Sequence, residues 1–200
     1  MEILTLLVLV GIIVLAVIFI PKLLNNDTEK KIKKQKLNCG LNKGNKVLKA
    51  FASENGFRYL GACKFVKGEE TVEVSSMVIG TFGIFGIIEN GRNNEVYGTE
   101  KEKQWVQISK DKKEYFENPM DNANRSVVFV REPLSNNKLH NIQIEILPVF
   151  CASNLSLVVP KSCKVYKPKQ LKGILFKDKY IKDRKVNMDK VYEVLSAYKV

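Results

Sequence analysis

The residues with chemical reach in this chain gather between Thr71 and Asn90, in the run TVEVSSMVIGTFGIFGIIEN. Glu73, Ser75, Ser76, Glu89 and Asn90 punctuate two otherwise apolar stretches, Val72–Gly80 and Ile84–Glu89, joined by the tight turn Thr81-Phe82-Gly83. Carboxylates on neighbouring strands offer hard oxygen ligands of the kind a divalent cation accepts. Alternate side chains of a strand share a face, so Glu73 and Ser75 are expected on one side, as are Ile88 and Asn90. Glu89 falls on the opposite side unless a bulge intervenes.

Other catalytic schemes find little support. His140 is the only histidine and lies in the polar stretch 135–141, which reads as an exposed loop. There is no Gly-x-Ser-x-Gly elbow and no Walker-type phosphate loop. Gly80, Gly83 and Gly86 sit inside the hairpin pattern, where turn and close packing account for them. The four cysteines, Cys39, Cys63, Cys151 and Cys163, form no Cys-x-x-Cys pair, which leaves buried free thiols as the expectation.

The hairpin resembles the core of the NERD (nuclease-related) domain, a branch of the PD-(D/E)xK restriction-endonuclease-like fold. In that family an Asp ends the first strand's motif, and an acid-x-Lys pair follows a "GIF"-like turn. Setting that turn on Gly83-Ile84-Phe85 places the Asp position on Ser75, the acid on Ile88 and the Lys on Asn90. The family's upstream helix begins Gly-x-x-Gly-Glu; here the run Gly40–Gly44 is followed by Asn45. Further landmarks of the resemblance are Gly98, Trp105, Gln107 and the Asn118-Pro119 pair. The resemblance implies an α/β fold with a mixed sheet flanked by helices, and in active members a Mg²⁺-dependent nuclease. Asn45, Ser75, Ile88 and Asn90 supply none of the family's acids or its lysine, so no catalytic residue is assigned. An active enzyme would need relocated ligands, Glu73 and Glu89, with Glu73 the one metal candidate and Mg²⁺ the only cofactor implied.

The elements that must position the hairpin follow from periodicity. Lys43–Asn55 carries Val47, Leu48 and Phe51 at helical spacing and stops at Gly56. Strands are expected over Phe57–Val66, Gln104–Ser109, Ile142–Cys151 and Leu155–Val159. Asn118 as N-cap with Pro119 starts a helix toward Arg131, although Ser126–Val130 has strong β-propensity. Asn187–Lys199 is expected as a helix with Val191, Val194, Leu195 and Tyr198 on one side.

Upstream, Ile3–Ile20 is an uncharged run of eighteen residues, long enough to cross a hydrocarbon core. No basic side chain precedes it, and Phe19-Ile20-Pro21 is a poor cleavage context, which favours an anchor over a signal peptide. Lys22, Lys30, Lys31, Lys33, Lys34 and Lys36 follow it, so the positive-inside rule puts the amino terminus outside and the remainder in the cytoplasm. The expected organisation is a single-pass anchor over 1–24, a basic linker over 25–37, the NERD-like domain over 38–175 and a basic extension with a helix over 176–200.

The formal charge of +12 is uneven. Residues 37–160 hold fifteen basic and fourteen acidic side chains, whereas 161–200 hold twelve and four. Lys161, Lys164, Lys167, Lys169, Lys172, Lys177, Lys179, Lys182, Arg184 and Lys185 would suit phosphates of DNA or RNA or an anionic lipid surface. Tyr166, Phe176 and Tyr180 are interleaved among them and would stack on bases, or else belong to the core. The expected role is binding, of nucleic acid or of a protein partner, by a scaffold without catalysis. A relocated nuclease or a purely structural adaptor are the alternatives.

Overall fold

The computed structural model describes residues 41–110 and 112–200. The apolar run 3–20 and the linker 25–37 lie outside the described residues. Among the described residues no helix is long and apolar enough to cross a membrane.

Among the described residues the first helix, α1, spans Lys43–Asn55 and ends at Gly56, whose φ of 68° is the left-handed conformation that terminates helices. The expected 57–66 strand is divided into β1 (Arg58–Leu60) and β2 (Cys63–Lys67). The expected 72–80 strand is divided too, into β3 (Glu70–Val74) and β4 (Ser76–Gly80), with Ser75 between them. Both breaks have one cause. β2 and β3 pair with each other as a separate ribbon, while β1 and β4 pair in the main sheet, so the chain changes partner at both points.

β5 (Gly83–Asn90) pairs antiparallel with β4 and parallel with β9 (Ile144–Phe150), giving a mixed sheet ordered β1-β4-β5-β9. Gly83 makes the hairpin possible: its φ is 128°, and a Cβ there would lie 2.3 Å from the Gln143 carbonyl oxygen.

The two faces of β5 build two cores. Phe85 and Ile87 pack with Leu48 and Phe51 of α1 and with Leu171 of α3 (Pro168–Leu175). Ile84 and Ile88 pack on the other side with Phe129, Val130 and Leu134 of α2 (Pro119–Asn136), and with Val191 and Leu195 of α4 (Met188–Ser196). Helices therefore cover both faces of a mixed sheet, as expected of the α/β class. Residues 176–200, expected as an extension, pack into the same body. Lys64 N donates to the Tyr198 carbonyl at 2.9 Å, and Tyr198 stacks on Phe65.

α2 forms despite the strong β-propensity of Ser126–Val130. Asn118 Oδ1 accepts from Met120 N at 3.0 Å, Pro119 follows, and Phe129, Val130 and Leu134 recur at helical spacing on the buried side. Tertiary burial overrides local propensity here.

A second sheet is ordered β10-β6-β7-β8, from β10 (Leu155–Val158), β6 (Asn94–Tyr97), β7 (Gln104–Ser109) and β8 (Lys112–Glu117). Its core holds Trp105 stacked on Phe150, with Val96, Leu155 and Val165. A Cβ on Gly98 would lie 2.3 Å from the Trp105 indole, and Trp105 Nε1 donates to the Thr99 carbonyl at 3.0 Å. Buried Asn118 donates to the Glu102 carbonyl at 2.8 Å. Gln107 Nε2 donates to Asn93 Oδ1 at 2.8 Å, and its Oε1 accepts from Arg92 at 2.9 Å. Gly98, Trp105 and Asn118 thus fix one joint between the second sheet and α2, while Gln107 ties β7 to the turn before β6.

Candidate functional site

Glu89 is held where the parity of β5 puts it. The pairing of β5 with β9 runs without interruption from Ile84↔Ile144 to Asn90↔Phe150, so no bulge turns Glu89 toward Ile88's face. The carboxylate points at the amino end of α1. Its Oε2 accepts from Asn42 N at 2.6 Å, and its Oε1 accepts from Gly44 N at 2.7 Å and Asn45 N at 3.1 Å. Those amides have no partner within the helix, and an anion there is favoured by both hydrogen bonding and the helix dipole. The N-cap residue, Asn42, has φ 78° and makes no side-chain cap to α1, so Glu89 performs that task from another strand. Gly44 lets it approach. A Cβ there would stand 2.9 Å from Glu89 Oε1 and 2.7 Å from Ile87 Cδ1.

The remaining polar groups lock onto this anchor. Glu89 N donates to Ser75 Oγ at 2.8 Å, and Ser75 N donates to the Ile87 carbonyl at 2.9 Å, which seats the break between β3 and β4. Asn45 Oδ1 accepts from the Ser76 hydroxyl at 2.8 Å. Cys151 Sγ lies 3.5 Å from Glu89 Oε1. Burial, reinforced by the Glu89 charge, pushes the Cys151 thiol up to about 12. The Tyr59 hydroxyl is raised mainly by burial; the Ser76 hydroxyl opposes that shift and the Glu89 charge adds to it.

The four residues expected at the motif positions therefore do not assemble into one polar cluster. Asn45 lies on the α1 side of the sheet, Ser75 is spent on the strand break, and Ile88 packs in the core beneath α2 and α4. Asn90 Oδ1 accepts from Arg92 N at 2.9 Å, shaping the turn after β5. Glu73 is exposed on β3 opposite Lys64, while its neighbours Val72 and Val74 face the core. His140 is exposed in the loop after α2, as expected. Among the described residues no three His, Cys, Asp or Glu side chains converge to hold a metal ion. A Mg²⁺ ion asks for carboxylate oxygens with room for water and phosphate. Ile88 offers no donor, and both Glu89 oxygens are committed to α1, so the donor set at the family positions does not fit it.

A cleft of about 400 Å³ lies between the first turn of α2 and β9. Asp121, Asn124, Glu100 and Lys164 edge it over a floor of Ile146 and Pro148, and Pro148 is the direct pairing partner of Ile88.

The ten basic residues of the tail divide by use. Lys161, Lys164, Lys169, Lys172, Lys177, Lys182, Arg184 and Lys185 are exposed. Lys167 Nζ donates to the Leu155 carbonyl at 2.9 Å, and Lys179 pairs with Glu145 at 2.5 Å. The aromatics divide as well. Tyr180 is buried against Phe82 and Phe85 and donates to Glu145 at 2.7 Å, so it cannot stack on a base. Tyr166 bridges to Val149 at the edge of the core, and Phe176 alone stands out, 66% exposed. Sequence reasoning missed the cap made by Glu89. The signal was the Asn42–Asn45 helix start, which carries no acid in its first turn and so needs an anion from elsewhere.

A family model for the nuclease-related domain matches residues 29–151. Neither the curated proteins nor the solved structures return a significant match. The family match spans α1, the whole of the β4–β5 hairpin, the second sheet's first three strands, α2 and β9, and stops at Cys151, the residue that contacts Glu89. Covering more than half of the chain, it establishes that this protein belongs to the NERD, or nuclease-related domain, family.

Proposed function

We propose that this protein is a non-cleaving nuclease-related domain that binds nucleic acid beside a membrane. The observation that carries the loss of cleavage is the fate of Glu89. It is the one carboxylate on the strand that should carry the family's acid, and its oxygens cap α1. The family's acid position itself is apolar Ile88. A scaffold that has exchanged catalytic acids for structural contacts still presents its shape and charge.

Binding is supported by the exposed cations beyond the family match, Lys161, Lys164, Lys182, Arg184 and Lys185, which have no acidic partner within salt-bridge distance among the described residues. Phosphate contacts by such side chains release condensed counterions, so affinity falls steeply with salt. The uncharged run 3–20 and the lysines after it support anchoring, with the domain in the cytoplasm where nucleic acid is available.

A protein partner is the second reading, and one observation favours it. Val158, Tyr97, Val106 and Tyr115 are directly paired in register across the four strands of the second sheet, with Val158 and Tyr115 exposed. Fluorescence anisotropy with labelled single- and double-stranded oligonucleotides, titrated over salt, separates the two. The nucleic-acid reading expects binding whose log affinity falls linearly with log salt, weakened by charge reversal at Lys182, Arg184 and Lys185. Absent binding, or an affinity indifferent to salt, would overturn it in favour of the protein partner.

A further inference from the structure

The side of the central sheet opposite Ile88 carries a second cationic surface. α1 and α3 lie side by side there, and the seam between them is lined by Val47, Ala50, Phe51, Leu175 and Phe176. Residues three and four apart on a helix are neighbours, so Lys43 and Lys46 stand one turn before Val47 and Ala50, and Lys172 one turn before Phe176. Lys169 stands one turn before Lys172. All four lysines are exposed, and none forms an ion pair among the described residues. Among the described residues, Glu54 is the only acid lining the seam.

We infer that the α1–α3 face docks on the headgroups of an anionic phospholipid bilayer, with Phe176 entering the boundary between headgroups and acyl chains. Three features select this occupant. The cations are all lysines, point charges suited to a diffuse negative surface, and neither helix contains an arginine of the kind that clamps phosphate bidentately. Phe176 is 66% exposed amid those cations, an arrangement that interfacial segments use to combine apolar insertion with electrostatic attraction. Tyr166 and Tyr180 are held by the core, so no series of aromatics is left to stack on bases. In addition, α1 begins a short polar stretch after the apolar run 3–20. A chain anchored through that run would keep the domain within reach of the bilayer at high effective concentration.

The inference rests on the anchored reading only for its avidity, and it leaves the opposite side of the sheet free for nucleic acid. Its test uses the full chain with Phe176→Trp in nanodiscs containing brominated lipid, which quenches indole on contact. The native Trp105 is 1% exposed and provides a constant background. Quenching is expected in discs with anionic lipid at low salt and not in zwitterionic discs. Each lysine near the surface contributes roughly fivefold to the attraction. Combined charge reversal, Lys43→Glu, Lys46→Glu, Lys169→Glu and Lys172→Glu, should therefore reduce quenching to the zwitterionic level while the chain still floats with the discs. No quenching in anionic discs, or equal quenching in the reversed variant, overturns the inference. A reversed variant that keeps its quenching but loses oligonucleotide affinity assigns the face to nucleic acid instead. A chain that does not float with discs, yet whose introduced indole is quenched by added anionic vesicles, keeps this inference and rejects the anchor.

Discussion

Replacing Glu89 by Gln asks whether that side chain is an anchor or a catalyst. In the native chain three backbone amides converge on the carboxylate, at 2.6, 2.7 and 3.1 Å. Hydrogen bonds to a charged acceptor contribute about 1.5–3 kcal/mol each, against about 0.5–1.5 kcal/mol for neutral pairs. Loss of the charge therefore costs roughly 1 kcal/mol per bond. The Gln amide brings a second difficulty: if its oxygen keeps Gly44 N and Asn45 N, its NH₂ faces the Asn42 N–H donor to donor. Asn42 is exposed, so its N–H turns to water instead, and loss of that charged bond adds about 1–2 kcal/mol. A destabilisation of about 3–4 kcal/mol follows, and loss of the anion at the positive helix end belongs within that figure. The assay is urea unfolding of the compact 39–200 unit, followed by far-ultraviolet circular dichroism. With a slope of about 2 kcal/mol/M, the midpoint should fall by about 1.5–2 M. Hydrogen exchange adds a local readout, because Gly44 and Asn45 amides should lose protection well before the β5–β9 ladder does. A shift below about 0.5 kcal/mol, the size of an ordinary surface substitution, would refute the anchoring role.

Two other perturbations follow from the same geometry. Gly83→Ala would drive a Cβ to within 2.3 Å of the Gln143 carbonyl at a φ of 128°, so the hairpin and the entry of β9 must both shift. A loss of more than about 3 kcal/mol is expected on thermal or urea unfolding, well beyond an ordinary Gly→Ala change. The Cys151 thiol, raised from 9.0 to about 12, should be roughly a thousandfold less ionised at pH 8 than a free thiol, and alkylation in the folded protein should be correspondingly slow. Its linkage to stability has a definite sign. The folded state binds the proton more tightly, so the contribution is complete below pH 9, then declines as pH rises toward 12. Mass-spectrometric footprinting against pH, with Glu89→Gln as a companion that should make Cys151 easier to ionise, checks both statements.

The hairpin was legible because its information is local. Alternation, the Gly83 turn and parity together place Ile88 and Glu89 on opposite faces, and the uninterrupted β5–β9 register preserves that placement. The α1 boundaries were legible for a similar reason: apolar spacing marks the body of the helix and Gly56 its end. Long-range partner choice was not. Nothing near Ser75 announces that β3 leaves the main sheet to pair with β2, since no Gly or Pro breaks the run between alternating β3 and fully buried β4. β6 and β8 are short and polar, with one buried residue in β6 and none in β8, so no periodic signal exposes them. The tail misleads in a different way. Its composition presents Lys179 and Tyr180 as free cation and free ring, but Glu145 on β9 holds both. At the candidate site the residues were identifiable and their duties were not, because capping α1 depends on a strand more than forty positions away.

The most direct measurement is phosphodiester cleavage by the full chain with Mg²⁺ or Mn²⁺, on plasmid and on single-stranded DNA. The native chain should leave both intact, and Ser75→Asp, Ile88→Glu and Asn90→Lys in combination should move it toward metal-dependent cutting. Cleavage by the native chain that Glu73→Gln or Glu89→Gln abolishes, with folding shown intact by circular dichroism, would contradict the account. The residue whose replacement abolished cleavage would then be a catalytic ligand, and if it were Glu89, its role as cap of α1 would be overturned.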